Sequence, residues 1–266
     1  MNRKKLLISL AMAMLSMAGL AADNLPALRV EGRNLVDANG KIVVLHGVMD
    51  TPNRYFNGWR WQQWKPDYSE ADIKPCLEYF SKQFSAITDK KQGAYCTVFR
   101  LHMDPCWTND PAMKVENEAD ISAFNMARYR RYLQKLYIPL IKDAIAHGLY
   151  VIVRPPGVCP GDISVGDRYN SYLKGIWKTF AADEYIKQNE GVISIELANE
   201  PVRVHLSDGT DSAEALHDYF QPVVDVIREQ GFKGIIWVPG AGYQSQYQDY
   251  VKYPITDSED NFSYAV

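Results

Sequence analysis

Three times along this chain a helical run of apolar residues stops at a glycine and passes directly into a short strand-like run, at Gly148-Leu149, Gly191-Val192 and Gly231-Phe232. Glycine enters the left-handed backbone region at no steric cost, which is why helices so often end on it. The runs that follow, over about 149–153, 192–198 and 234–238, are short, apolar and rich in β-branched residues, as strands covered on both faces must be. Another such run lies at about 95–101. Asp37-Ala38-Asn39-Gly40 carries the Asn-Gly signature of a hairpin turn between two apolar stretches. Helical spacing is read over about 121–147, 172–188 and 213–230, with Pro139 expected to kink or split the first. Strand, helix, short turn and strand again is a βα repeat, and it predicts a parallel sheet.

Two parallel layouts fit the repeat, an open doubly wound sheet or a closed barrel. A dinucleotide-binding sheet would carry a glycine-rich turn after its first strand, and the sequence has none. Polar residues instead follow the expected strand ends: His46, Arg100 with His102 and Asp104, Arg154, and Asn199 with Glu200. Function gathered at the C-terminal ends of several strands is the habit of barrels. The expected fold is therefore α/β, a (β/α)8 TIM barrel with an N-terminal β-hairpin, of which strands one to five and the start of strand six are present.

Composition bounds the partners. With 29 basic and 32 acidic residues the formal charge is −3, which gives no support for a nucleic-acid or anionic-membrane partner. Residues 1–21 read as a signal peptide: Arg3, Lys4 and Lys5 precede the apolar run LLISLAMAMLSMAGL, and Gly19-Leu20-Ala21 offers a cleavage site, with Ala22 as an alternative. That run is shorter than the roughly 20 residues a membrane span needs. The mature domain, 22–266, is expected to be secreted or periplasmic, without a lipid anchor, since the first cysteine is Cys76. Cys76, Cys96, Cys106 and Cys159 allow three disulfide pairings, with buried thiols as the alternative. Their spacing is not that of a zinc site.

The sharpest chemical signal is ISIELANEPV, an apolar strand running straight into Asn199-Glu200-Pro201. Glycosidic cleavage needs a protonated acid beside the leaving oxygen, and a half-buried glutamate at a barrel mouth can hold its proton at neutral pH. Asn199 stands where it can hydrogen-bond a sugar hydroxyl. Trp59, Trp61, Trp64 and Trp107 fall in long loops after strands one and two, where at least one is expected to stack on a sugar face; ordinary loop packing is the competing role. Trp177 reads as core and Trp237 as barrel interior. His102 and Asp104 are candidates for the cleft lining, a structural histidine being the other reading.

Together these segments resemble glycoside hydrolase family 5, the cellulase-type retaining enzymes of the clan of (β/α)8 glycosidases. VDANGKIVVLHGV is similar to the family's entry into strand one, VFRLHMD to strand two and ISIELANEP to strand four. The resemblance implies that Glu200 is the general acid/base, that Asn199 binds substrate, and that Arg100 supports the nucleophile, with no metal or organic cofactor. His46, His102, Trp107 and Trp59 complete the expected substrate-binding set. The partner is a polysaccharide or oligosaccharide, cellulose or β-glucan first, with mannan and xyloglucan open, and the full-length protein is expected to be a monomer.

The chain departs from the family in two places. Where many members end strand three with a histidine, this chain reads VIVRPPGVCPG, so either Arg154 and the double proline replace that contact or the local geometry differs. The retaining mechanism also needs a second carboxylate about 5–5.5 Å from the first, and in the family it follows strand seven. Glu214 and Glu229 fall in a helix, Glu190 precedes strand four and Glu259 sits in a polar loop. Glu196 lies four residues before Glu200, about 13 Å along an extended strand, and is expected to pair with Arg100. The nucleophile is therefore expected beyond Val266, and the chain reads as the N-terminal part of the domain. Cys106 and Cys159, after neighbouring strands, are the preferred disulfide. A non-catalytic glycan-binding protein on a decayed barrel is the competing function. A chain ending at Val266 is expected to be inactive alone and prone to aggregate through open strand edges; a soluble monomer that melts cooperatively and cleaves glycan would refute this.

Overall fold

The computed structural model describes residues 25–52 and 68–265. The expected signal segment and Trp59, Trp61 and Trp64 lie outside the described residues. Strands β1 (Arg29–Glu31) and β2 (Asn34–Val36) form an antiparallel hairpin turning at Gly32. The Asp37–Gly40 turn follows it. Asp37 Oδ1 accepts from Asn39 N at 2.9 Å and Lys41 N at 3.0 Å, and a single bridge joins Val36 to Ile42. The Asn-Gly turn is where the sequence put it, and the earlier turn at Gly32 is an addition.

Six parallel strands make the main sheet: β3 (Gly47–Asp50), β4 (Val98–His102), β5 (Tyr150–Arg154), β7 (Ile193–Glu196), β9 (Ile236–Pro239) and β10 (Phe262–Ala265). Their order is sequential, each strand pairing with the one before it. A doubly wound sheet reverses at a switch point; this sheet does not, and its sequential parallel order is consistent with a TIM-barrel-like fold. The crossovers are α1 (Glu70–Ile87), then α3 (Met126–Tyr132) and α4 (Ile138–Ala146), then α5 (Arg168–Ala181) with α6 (Glu184–Gln188), then α7 (Ala215–Glu229). A four-residue helix, α2 (Pro105–Thr108), follows β4.

The two faces of the wall differ in chemistry. Phe99, Leu101, Val151, Val153, Ile193, Ile195, Ile236 and Val238 are all buried in the core shared with the helices. Register puts Arg100 beside Ile152 and Ile152 beside Ser194, with Glu196 beside Trp237, on the alternate face. Alternation along each strand therefore sends hydrocarbon to the helices and a mixed row, Arg100, Ser194 and Glu196 with Ile152 and Trp237, to the other face. Trp177 is fully buried, donating Nε1–H to the Leu197 carbonyl at 2.9 Å, as a core residue should.

Pro139 splits its helix as expected. It has no N–H to give the Lys135 carbonyl, and residues Leu133–Tyr137 widen into a π-helical turn that relieves the clash. The expected 172–188 helix is likewise two, broken where Asp183 caps α6 through Tyr185 N and Ile186 N. Helix α1 had no counterpart in the expected elements. Ser69 and Asp72 form its capping box, with Ser69 N donating to Asp72 Oδ2 at 2.7 Å, and Cys76, Phe80 and Phe84 make its buried face.

The hairpin closes the N-terminal end of the wall. Leu28 packs with Val98, Tyr150 and Ile235, Leu28 N donates to Gly191 O at 2.8 Å, and Val30 N donates to Asn261 Oδ1 at 3.0 Å. At the other end, β6 (Asp162–Ser164) and β8 (Arg203–His205) pair in parallel and link the loops after β5 and β7. A bidentate Arg203–Asp162 pair fastens them, at 2.5 and 2.7 Å. Gly47 lets β3 approach β4, since an added Cβ there would stand 1.8 Å from the Val98 carbonyl oxygen. Gly47→Ala is expected to lower unfolding stability by about 2–3 kcal/mol, measured by urea denaturation.

Candidate active site

Strand β7 ends at Glu196, and Asn199 and Glu200 stand on the turn after it. Glu200 is exposed, not half-buried as expected, and its backbone is left-handed at φ 53°. It opens onto a cleft of about 450 Å³ lined also by Arg100, Ile152, Glu196, Trp237, Tyr243 and Gln244. Glu196 and Glu200 line this one cleft.

At the cleft floor lies the expected Arg100–Glu196 pair. Arg100 donates Nε–H to Glu196 Oε2 at 2.6 Å and Nη2–H to Oε1 at 2.5 Å. This fork-to-fork geometry is the strong form of a charge pair. The Glu196 side chain is 4 % exposed, so its charge depends on these partners. Asn199 is buried; its Oδ1 accepts from Arg100 Nη2 at 3.3 Å, and its carbonyl accepts from Cys159 N at 3.1 Å. Gln244 Nε2 donates to Glu196 Oε1 at 3.1 Å.

Arg154 stands behind this floor, 3 % exposed. Its Nη1 and Arg100 Nη1 both point at the Met49 sulfur, at 3.3 and 3.1 Å, so a neutral, polarisable atom separates two like charges. Arg154 Nη2 donates to His102 Nε2 at 3.3 Å, while Arg154 Nε has no hydrogen-bond partner. Burial, then the neighbouring Arg100 charge, pushes Arg154 down to about 10, opposed first by Glu196. Burial, then Arg154, holds His102 well below the usual imidazole value, so this ring is neutral. Arg154 thus occupies the end of strand three as a buried, underpartnered cation.

Several expected site residues lie elsewhere. His46 precedes β3 and sits at the opposite, N-terminal end of the wall, its ring 5.2 Å from Tyr95. The strand begins after it, because Val43 and Leu45 belong to the hairpin's apolar plug. Trp107 is fully buried, stacked 4.8 Å from Tyr68 and donating to Pro52 O at 2.8 Å, so its faces are closed to a sugar. His102 is buried behind Arg154 and does not line the cleft. Asp104 caps α2, accepting from Cys106 N at 2.7 Å. Trp59 lies outside the described residues. Cys106 and Cys159 are not joined; Cys159 is buried, its thiol pushed up by burial and next by Asp167, and a Tyr169 hydrogen bond pulls it back.

Residues missed from the sequence come from the loop after β9. Residues 242–244 form a left-handed turn, with φ 58° at Gly242, 59° at Tyr243 and 60° at Gln244. A left-handed L-residue costs about 1–2 kcal/mol. The turn places Tyr243, 66 % exposed, on the cleft that Trp237 also lines. Its only sequence trace is the Gly240-Ala241-Gly242 run, which marks a turn without saying where it points.

The comparisons with known proteins agree with this fold. The family model for cellulase, glycosyl hydrolase family 5, matches residues 63–266. This chain belongs to that family. No curated protein sequence matches it significantly. Among solved structures it is similar to a cellulase of the same family from an Icelandic hot spring isolate, at 23% identity and TM-score 0.55, covering 92% of this chain and 61% of that one. The alkaline cellulase K catalytic domain matches at 20% identity and TM-score 0.58, with coverages of 93% and 60%. A β-glucanase from Saccharophagus degradans, solved with cellotetraose, matches at 15% and 0.57, with coverages of 90% and 60%. At these identities the structures establish the fold, and the chain spans about three fifths of their length.

The ion pair at the cleft floor makes a direct prediction. Arg100→Met leaves Glu196 buried without its main partner and is expected to cost about 3–5 kcal/mol. Adding Glu196→Met should recover most of the loss, as read from urea unfolding of both variants.

Proposed function

We propose that this protein is a retaining endo-β-glycanase acting on β-linked polysaccharide of the cellulose or β-glucan type. The observation that carries this reading is Glu200 at the C-terminal end of the fourth strand of the wall, open to the cleft whose floor is Arg100–Glu196 with Asn199. In this reading the six strands are part of an eight-stranded barrel, and the protein acts after export. Family membership and the glucan- and cellulose-degrading names of its structural relatives support the substrate class.

Glu200 protonates the glycosidic oxygen as the bond to the anomeric carbon breaks, then takes a proton from water in the second displacement. The nucleophile is a second carboxylate about 5–5.5 Å from the first. Glu196 is poorly suited to that role, because both its oxygens are held by Arg100 and one also by Gln244. No other carboxylate lines the cleft among the described residues. Arg100, which already gives Asn199 a hydrogen bond, is placed to orient it. Tyr243 and Trp237 supply the aromatic surface for a pyranose face that Trp107 does not.

Glu200→Gln in the full-length protein should lower turnover of soluble cellulose derivatives by about 10²–10⁴-fold while cellotetraose still binds, measured by reducing-end release and calorimetry. Unchanged turnover would remove Glu200 as the acid. Wild-type binding without any turnover would favour a glycan-binding protein.

A further inference from the structure

Four non-glycine residues have positive φ among the described residues, and three of them, Glu200, Tyr243 and Gln244, line this one cleft. The fourth, Asp260, lies in a surface loop. Left-handed backbone at a residue with a Cβ persists only where surrounding contacts over-determine it, and such residues gather at functional sites. Here the contacts are visible. Gly242 N donates to the Val202 carbonyl at 2.9 Å and Tyr243 N to the Pro201 carbonyl at 2.9 Å. These are the two residues directly after Glu200.

A third tie runs through a side chain. Gln244 Nε2 reaches Glu196 Oε1, so one turn holds the segment carrying Glu200 from both ends, at Glu196 before it and at Pro201-Val202 after it. The turn is itself anchored. The Gln246 carbonyl accepts from Ala241 N at 3.1 Å, and a Cβ on Gly240 would meet that carbonyl oxygen at 2.4 Å, so the loop closes tightly on its own base.

We propose that the left-handed turn 242–244 is a positioning element for Glu200. It orients the carboxylate from the neighbouring strand, and Gln244 is its positioning residue, touching Glu196 rather than substrate. The strain in Tyr243 and Gln244 is held by the same hydrogen bonds that fix residues 196–202. Relaxing the turn therefore loosens Glu200 without weakening the core, and activity and stability part company. This inference rests on Glu200 being the acid, and the test separates the two claims.

The test compares Gln244→Gly and Gln244→Asn with wild type in the full-length protein. Glycine removes both the amide and the left-handed penalty; asparagine tolerates the left-handed backbone with a side chain too short to reach Glu196. Hydrogen exchange, which needs no turnover, reads the clip itself. In Gln244→Gly the amides of Gly242 and Tyr243 and of the non-proline residues in 196–202 should exchange at least tenfold faster while the rest of the wall is unchanged. On a soluble β-glucan, kcat should fall about tenfold with KM within twofold and Tm no lower than wild type; Gln244→Asn should lose less kcat. Unchanged exchange over 196–202 overturns the proposal, as does a kcat loss that merely tracks a fall in Tm. A wild-type protein without glucan turnover would instead remove the catalytic reading of Glu200, leaving the exchange result to decide the clip.

Discussion

A carboxylate and a guanidinium buried apart would each carry a solvation penalty that no hydrophobic packing offsets, and together they bind each other's position. Arg100 on β4 and Glu196 on β7 meet across the intervening β5, a lateral span of roughly 9–10 Å in a sheet with strands about 4.8 Å apart. That single pair fixes three strands relative to one another at the cleft floor. Asn199 hangs on Arg100, Gln244 hangs on Glu196, and the segment bearing Glu200 lies between them. The site is therefore one hydrogen-bonded unit.

Arg154 is a second, buried positive charge behind that unit, and His102 beside it is held neutral. The Met49 sulfur lets the two guanidiniums approach through a soft acceptor that adds no third charge.

Much of this was legible in the sequence. The glycine-terminated helices announced a parallel wall, and the strand running into Asn199-Glu200 is present in it as β7. The expected Arg100–Glu196 pair is present too. His46 was misplaced because IVVLHGV is apolar on both sides of it and gives no alternation from which to read where the strand begins; Ile42, Val44 and Val48 are all exposed. Trp107 was misread because burial is decided by partners far away, the Pro52 carbonyl and the Tyr68 ring, which no local pattern encodes. Helix α1 was hidden by Pro75 within it, although Ser69 and Asp72 signal its start. The left-handed turn depends on carbonyls forty residues upstream, and a glycine says only that a turn is allowed.

The N-terminal plug ties the molecule to its own biosynthesis. Val30 and Asn261, which share a hydrogen bond, are 231 residues apart in the chain. Closing a loop of that length costs about 5 kcal/mol of chain entropy, whereas each strand–helix–strand unit closes over a few tens of residues. At the usual pace of synthesis, Val30 waits roughly ten to fifty seconds for its partner to be made. For most of that interval the apolar floor of Leu28, Val98, Tyr150 and Ile235 lacks its last-made member, Ile235, and the nascent wall has an open base.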